Sequence, residues 1–196
     1  MEEIAVNENI AYLLGAMRDA SIDLRDKKNY ELRLYQSYAP WLFEIKEILE
    51  KEFKFPKVRI SGNLLRANGK DFTKRLAEIS EYENPQENWA TPSIIKNVDR
   101  HLVWHYVGGF WDAEGGLPFK SKQIYTSFDQ KNKESLEFIH NFLKMDDIQP
   151  TNLTYTGNVW QFRITRRNSL KLFANKIKSR HEEKIRHINE LVAGFP

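Results

Sequence analysis

The chain has 196 residues, 41% hydrophobic and 29% charged, so it can bury a core and is not a disordered tail. Its net charge of +3 tolerates a polyanionic partner without demanding one. The absence of cysteine excludes disulfides, zinc–thiolate centres and thiol nucleophiles. No apolar run approaches the roughly 20 residues of a membrane span. The N-terminus, MEEIAVNEN, is too acidic and polar for a signal peptide, so a cytoplasmic protein without a membrane partner is expected.

In chain order, Asn7 or Asn9 can cap a helix to about Arg18, with Ile10, Leu13, Leu14 and Met17 on one face. Two strand-like runs follow, YELRLYQ and KVRIS, separated by the helix PWLFEIKEILEKEF. In the first run Leu32 and Leu34 alternate with Glu31, Arg33 and Tyr35, a half-buried pattern. A third run, NLLRANG, ends in the turn signal Asn68-Gly69 and leads into the helix DFTKRLAEIS. The polar, proline-containing EYENPQENWATPS reads as a linker. Beyond it Asp99 caps a helix to about Ala113. Strand QIYTSFDQ, helix KESLEFIHNFLKM, strands NLTYT and NVWQFRITR, and helices SLKLFANKI and HEEKIRHINELV complete the chain. A strand between Gly115 and Ser121 is not placed by the pattern.

The two series are copies. Gly15 recurs as Gly109 and Gln36 as Gln130, an offset of 94, and Leu42, Ile45, Ile48 and Leu49 become Leu136, Ile139, Phe142 and Leu143. The expected architecture is α+β, two αββαββα repeats around a pseudo-two-fold axis, with residues 1–82 and 99–196 as the repeats and 83–98 as the linker. A monomer built this way suits a partner with approximate two-fold symmetry, and duplex DNA is the obvious candidate.

The segments LLGAMRDAS and VGGFWDAEGG carry glycines that cost helix propensity and make sense where two helices touch closely. Asp112 and Glu114 stand at a helix C-terminus, where the macrodipole disfavours an acid and a cation would offset the repulsion. These segments resemble the paired motifs of the LAGLIDADG homing endonucleases, and the spacing, the strand–Gln–helix order and the linker extend the resemblance over nearly the whole chain. It implies two motif helices packed at a central interface, saddle-shaped antiparallel sheets in the DNA major groove, and acids at the helix ends that hold two or more divalent ions. Mg²⁺-dependent cleavage of both strands of a long DNA target by a monomeric, intron-encoded enzyme would follow.

The resemblance places Glu114 as one metal ligand. The matching position in the first repeat is Ala20, so Asp19 is expected to serve if the helix ends one residue sooner or unwinds, with Asp23 a more remote substitute. Gln36, Gln130 and Lys131 would support the water and the developing charge, and Ser37 stands where a second lysine would be. Basic and polar side chains opposite the apolar strand faces form the expected DNA surface: Arg33, Arg59 and Arg66, then Lys120, Lys122, Gln123, Tyr125, Gln161, Arg163, Arg166 and Arg167. Because Ala20 and Ser37 both fall in the first repeat, a degenerate member acting as an RNA maturase on intron RNA, or as a DNA-binding regulator, is the alternative.

Overall fold

The computed structural model describes residues 5–25, 30–118 and 123–195. Helix α1 (Glu8–Ala16) starts at Asn7, whose side chain accepts from the Ile10 N–H at 2.9 Å. Asn9 does not cap; its amide donates to Glu52 at 2.7 Å. The chain then tightens into a 3₁₀ turn, Met17–Asp19. Strands β1 (Ala20–Asp23) and β2 (Glu31–Tyr35), helix α2 (Ala39–Glu52), strands β3 (Lys57–Ser61) and β4 (Leu64–Asn68) and helix α3 (Lys70–Ile79) complete the first repeat.

A short helix α4 (Ser93–Lys96) lies in the connection to the second repeat. There α5 (Arg100–Glu114) runs into β5 (Gly115–Gly116), followed by β6 (Thr126–Gln130), α6 (Lys133–Lys144), β7 (Thr154–Tyr155), β8 (Trp160–Ile164), α7 (Arg167–Lys176) and α8 (Glu182–Ala193). The strand that the sequence pattern does not place is β5. Two glycines carry no side-chain alternation, so periodicity has nothing to detect. Asp99 occupies the N-cap position of α5 without a side-chain hydrogen bond, whereas Asn132 caps α6 through the Ser135 N–H at 2.8 Å. Helix α8 has no counterpart in the first repeat among the described residues.

Each repeat forms one four-stranded antiparallel sheet, in the orders β1-β2-β4-β3 and β5-β6-β8-β7. The same order twice is the structural form of the sequence repeat. Leu32, Leu34, Leu65 and Ala67 in one sheet, and Phe128, Phe162 and Ile164 in the other, turn inward and join one hydrophobic core.

Helices α1 and α5 pack at the centre of that core. Residues Ile10 to Ala16 are all buried, as expected of a helix with neighbours on every side. The contact is backbone to backbone: a Cβ on Gly15 would stand 2.0 Å from the Tyr106 carbonyl oxygen, and one on Gly109 would stand 2.0 Å from that of Tyr12. Gly108 serves a different purpose from the one its neighbour suggests. Its missing Cβ, which would stand 2.4 Å from the Lys178 carbonyl oxygen, makes room for the segment between α7 and α8.

Candidate active site and nucleic-acid interface

The close packing of α1 and α5 brings their C-terminal ends together, and an acid stands at each. Strand register identifies the equivalent positions. Ala20 pairs with Leu34, and Gly115 pairs with Phe128, which lies 94 residues after Leu34. Asp19 and Glu114 therefore each precede the first paired residue of their sheet. The missing residue in the first repeat is absorbed by the 3₁₀ turn. A 3₁₀ residue advances about 2.0 Å against about 1.5 Å in an α-helix, so Met17–Asp19 spans the axial length of roughly four α-helical residues. The helix end is stretched and more tightly wound, not unwound. Asp23 is turned to another use, held by Arg25 at 2.5 and 2.8 Å.

Matching carboxamides hold the two acids. Gln36 Nε2 donates to Asp19 Oδ2 at 2.7 Å, and Gln130 Nε2 donates to Glu114 Oε1 at 3.2 Å. Asp19 is exposed, yet the partial desolvation of its carboxyl at the helix junction pushes it up to about 6, against the pull of Gln36 and the charge of Lys184. Burial and then the Asp19 charge push Glu114 up to about 7. Two carboxylates with raised proton affinity, one raised further by the charge of the other, are only partly offset by the charges of Lys184 and Arg18, and a divalent cation would complete the balance. Among the described residues no group of three or more His, Cys, Asp or Glu could hold a metal. Asp19 and Glu114 would offer an ion two carboxylates, the sparse oxygen set that suits an ion keeping water and phosphate oxygens as its other ligands.

The remaining site residues are placed as follows. Lys131 lies next to Gln130, with its ammonium 3.7 Å from Glu87 of the linker. Ser37 is exposed just past β2. Asp112, one of the two acids at the end of α5, does not face a cation site. It is fully buried and accepts from the Tyr12 hydroxyl, from Ser179 Oγ at 2.5 Å and from the Arg180 N–H at 2.8 Å. The cation that offsets the α5 dipole is internal. Lys184 of α8 donates to the carbonyls of Trp111, Asp112 and Gly115 at 2.7, 2.9 and 2.7 Å, using all three ammonium protons. Burial lowers its pKa to about 8.

Two further side chains tie the linker into the centre. Gln86 Nε2 donates to the Arg18 carbonyl at 2.6 Å and reaches Glu114 Oε1 at 3.4 Å. Arg18, fully buried at the end of α1, donates to the carbonyls of Trp89 and Ala90 and to Ser135 Oγ, with its guanidinium 4.4 Å from the Trp89 ring. The sequence signal for Arg18, Gln86 and Lys184 is a long polar side chain beside a motif or in a terminal helix. It becomes informative only once their distant partners are known.

On the outward faces of the sheets, Arg33, Arg66 and Arg59 stand directly opposite one another across β2, β4 and β3, all exposed. In the second sheet Ser127 opposes Arg163, and Asp129 opposes Gln161, which opposes Thr154. Gln161 donates to Asp129 and accepts from Arg163 Nε at 3.1 Å, while the Arg163 guanidinium lies 4.5 Å from the Tyr125 ring. Gln123 is exposed ahead of β6. Arg166 and Arg167 are exposed at the start of α7, beyond the paired part of β8, with Arg167 over the Phe195 ring at 5.4 Å. Lys120 and Lys122 lie outside the described residues.

No family model matches the chain. It is 30% identical over 194 residues to homing endonuclease I-ApeI of Aeropyrum pernix, covering 92% of this chain and 86% of that protein. Its fold resembles that of I-DmoI in complex with DNA and calcium, with a TM-score of 0.67 and 16% identity over 93% of this chain and 97% of that one. It also resembles I-WcaI bound to its DNA recognition sequence, with a TM-score of 0.60 and 18% identity over 91% and 85% of the two chains.

Proposed function

The chain belongs to the LAGLIDADG homing endonucleases, which makes it a site-specific DNA endonuclease, and we propose that it hydrolyses both strands of a long duplex target with divalent ions held by Asp19 and Glu114. The observation that carries this reading is the pairing of those two acids at adjoining helix ends, each held by a matching glutamine. Relatives of this fold have been solved with calcium, manganese or magnesium, and Mg²⁺ suits the all-oxygen donor set. Bound there, divalent ions would polarise the scissile phosphate and lower the pKa of the attacking water.

The protein's own groups have defined tasks in this scheme. Gln36 and Gln130 fix the direction of each carboxylate, so that the acids need no reorganisation when the phosphate arrives. Lys131 moves from Glu87 toward the developing negative charge when DNA displaces the exposed ion pair. The first repeat has no such lysine, so the two strands are cut at unequal rates and a nicked intermediate accumulates. Both acids come from one chain, which supports action as a monomer.

The test is cleavage of a plasmid carrying the target, with and without Mg²⁺. Linear product after a nicked intermediate is expected. Tight binding with no cleavage at any divalent-ion concentration would refute the enzyme reading. An intron-encoded maturase role would instead show as higher affinity for the intron RNA than for the duplex.

A further inference from the structure

Glu31 is an acid on the sheet face that, on the endonuclease reading, lies against a polyanion. A carboxylate there repels phosphate, and an exposed one would serve only to weaken binding. Yet this side chain is held down, 7% exposed against 48% for Arg33 and 52% for Arg66. It accepts from Arg33 Nε and from Asn68 Nδ2 at 3.3 Å, and it lies 3.9 Å from the Arg66 guanidinium. Register explains the convergence: Glu31 stands opposite Asn68, and the next outward-facing pair along the same strands is Arg33 opposite Arg66.

We propose that Glu31 is a specificity-determining positioning residue, which holds Arg33 as a fixed donor fork and draws the Arg66 guanidinium alongside it, so that the pair reads guanine in the half-site under the first sheet. A free arginine samples many rotamers and settles on the nearest phosphate. One held through Nε keeps its terminal nitrogens aimed, and guanine alone offers the matching O6 and N7 acceptors in the major groove. With strands about 4.8 Å apart, the row Arg33–Arg66–Arg59 spans about 10 Å, close to three base-pair steps of about 3.4 Å. In the second sheet the equivalent row is Ser127 and Arg163, where one arginine held through Nε by Gln161 replaces the row of three, so guanine dependence is concentrated in one half of the target.

The test is selection of bound duplexes from a randomised library in metal-free buffer, using the full chain and its Glu31→Gln, Glu31→Asp, Arg66→Ala and Arg163→Ala variants, each checked for cooperative unfolding. The wild-type chain selects a site with guanines clustered in one half. Arg66→Ala loses guanine preference at one of those positions by about tenfold or more, and Arg163→Ala leaves the cluster intact. Glu31→Gln binds bulk DNA more tightly yet discriminates less at the same positions. Glu31→Asp, which keeps the charge and shortens the reach, discriminates less without gaining affinity. Unchanged guanine preference in both Glu31 variants would overturn the proposal. So would an Arg66→Ala chain that loses affinity uniformly and shows a shallower salt slope, the mark of a phosphate anchor. A wild-type chain that selects no sequence would overturn the endonuclease reading, and this inference with it.

Discussion

Substituting Gly15 by alanine tests whether the acids are placed by direct contact of two helix backbones. The new Cβ would stand 2.0 Å from the Tyr106 carbonyl oxygen and 2.6 Å from the Phe110 nitrogen, where ordinary contact begins at 3.4 Å. Relieving the first clash takes a displacement of about 1.4 Å, and neither partner can yield by rotating a side chain. Overpacking of this kind costs about 3 kcal/mol, at the upper end of the usual range. Alanine returns about 1 kcal/mol of helix propensity, leaving a net loss of about 2 kcal/mol. For a chain of this size that lowers the melting temperature by about 4–8 °C. Catalysis suffers more, because a displacement of about 1 Å at the reacting groups costs on the order of 100-fold in rate. Calorimetric melting and single-turnover cleavage measure the two effects, with Gly194→Ala, which meets nothing within 4 Å, as the neutral control. A Gly15→Ala chain that melts no lower than wild type and cuts at the wild-type rate would refute the reasoning from helix contact.

Glu114→Gln should abolish cleavage while leaving DNA affinity nearly intact in a metal-free gel-shift assay. Asp19→Asn should do the same, whereas Asp23→Asn, which touches only the Arg25 pair, should leave the cleavage rate within about twofold of wild type. The pH dependence follows from the raised carboxyl pKa values of about 6 and about 7. Folding raises both, so the stability these two groups contribute to the metal-free protein is fully present below the ordinary carboxylate range and is lost as pH rises through about 6 and about 7. Metal requires the ionised acids, so cleavage at subsaturating Mg²⁺ should fall as pH drops below about 7. Chelator-treated unfolding and a pH–rate profile would each expose the opposite sign. Lys184→Met removes the ammonium from three helix-end carbonyls, of which only that of Trp111 keeps a cap donor, the Gly115 N–H, and should cost about 2 kcal/mol in denaturant unfolding. A smaller loss would mean that water replaces the ammonium.

Elements with a strong local pattern are legible in the sequence alone. The alternation of Leu32 and Leu34 with charged neighbours marks a strand, and the recurrence of Gly15 and Gln36 after 94 residues marks the repeat and its centre, because each depends only on spacing. What stays hidden depends on contacts between distant segments. Position matching puts Ala20 opposite Glu114 and offers Asp19 as the substitute, but the 3₁₀ turn that brings Asp19 into place has no sequence pattern of its own. Asp112 looks like a solvated helix end until Ser179 and Arg180 close over it. Lys184 looks like one more lysine on an amphipathic terminal helix, since its partners lie about 70 residues away.

The bonds that Arg18 and Gln86 make to residues of both repeats bear on protein engineering. Nucleases of this architecture invite the exchange of whole halves, to combine the recognition of one parent with that of another. Here a graft joined at residue 83 would part Arg18 from Trp89, Ala90 and Ser135, and one joined at residue 98 would part Arg18 from Ser135 and Gln86 from Glu114. The unit that can be transplanted from this chain is therefore the first half together with its connector and the two second-half residues that receive it, Ser135 and Glu114. A hybrid built on the sequence boundary alone would inherit a buried guanidinium without its full set of acceptors.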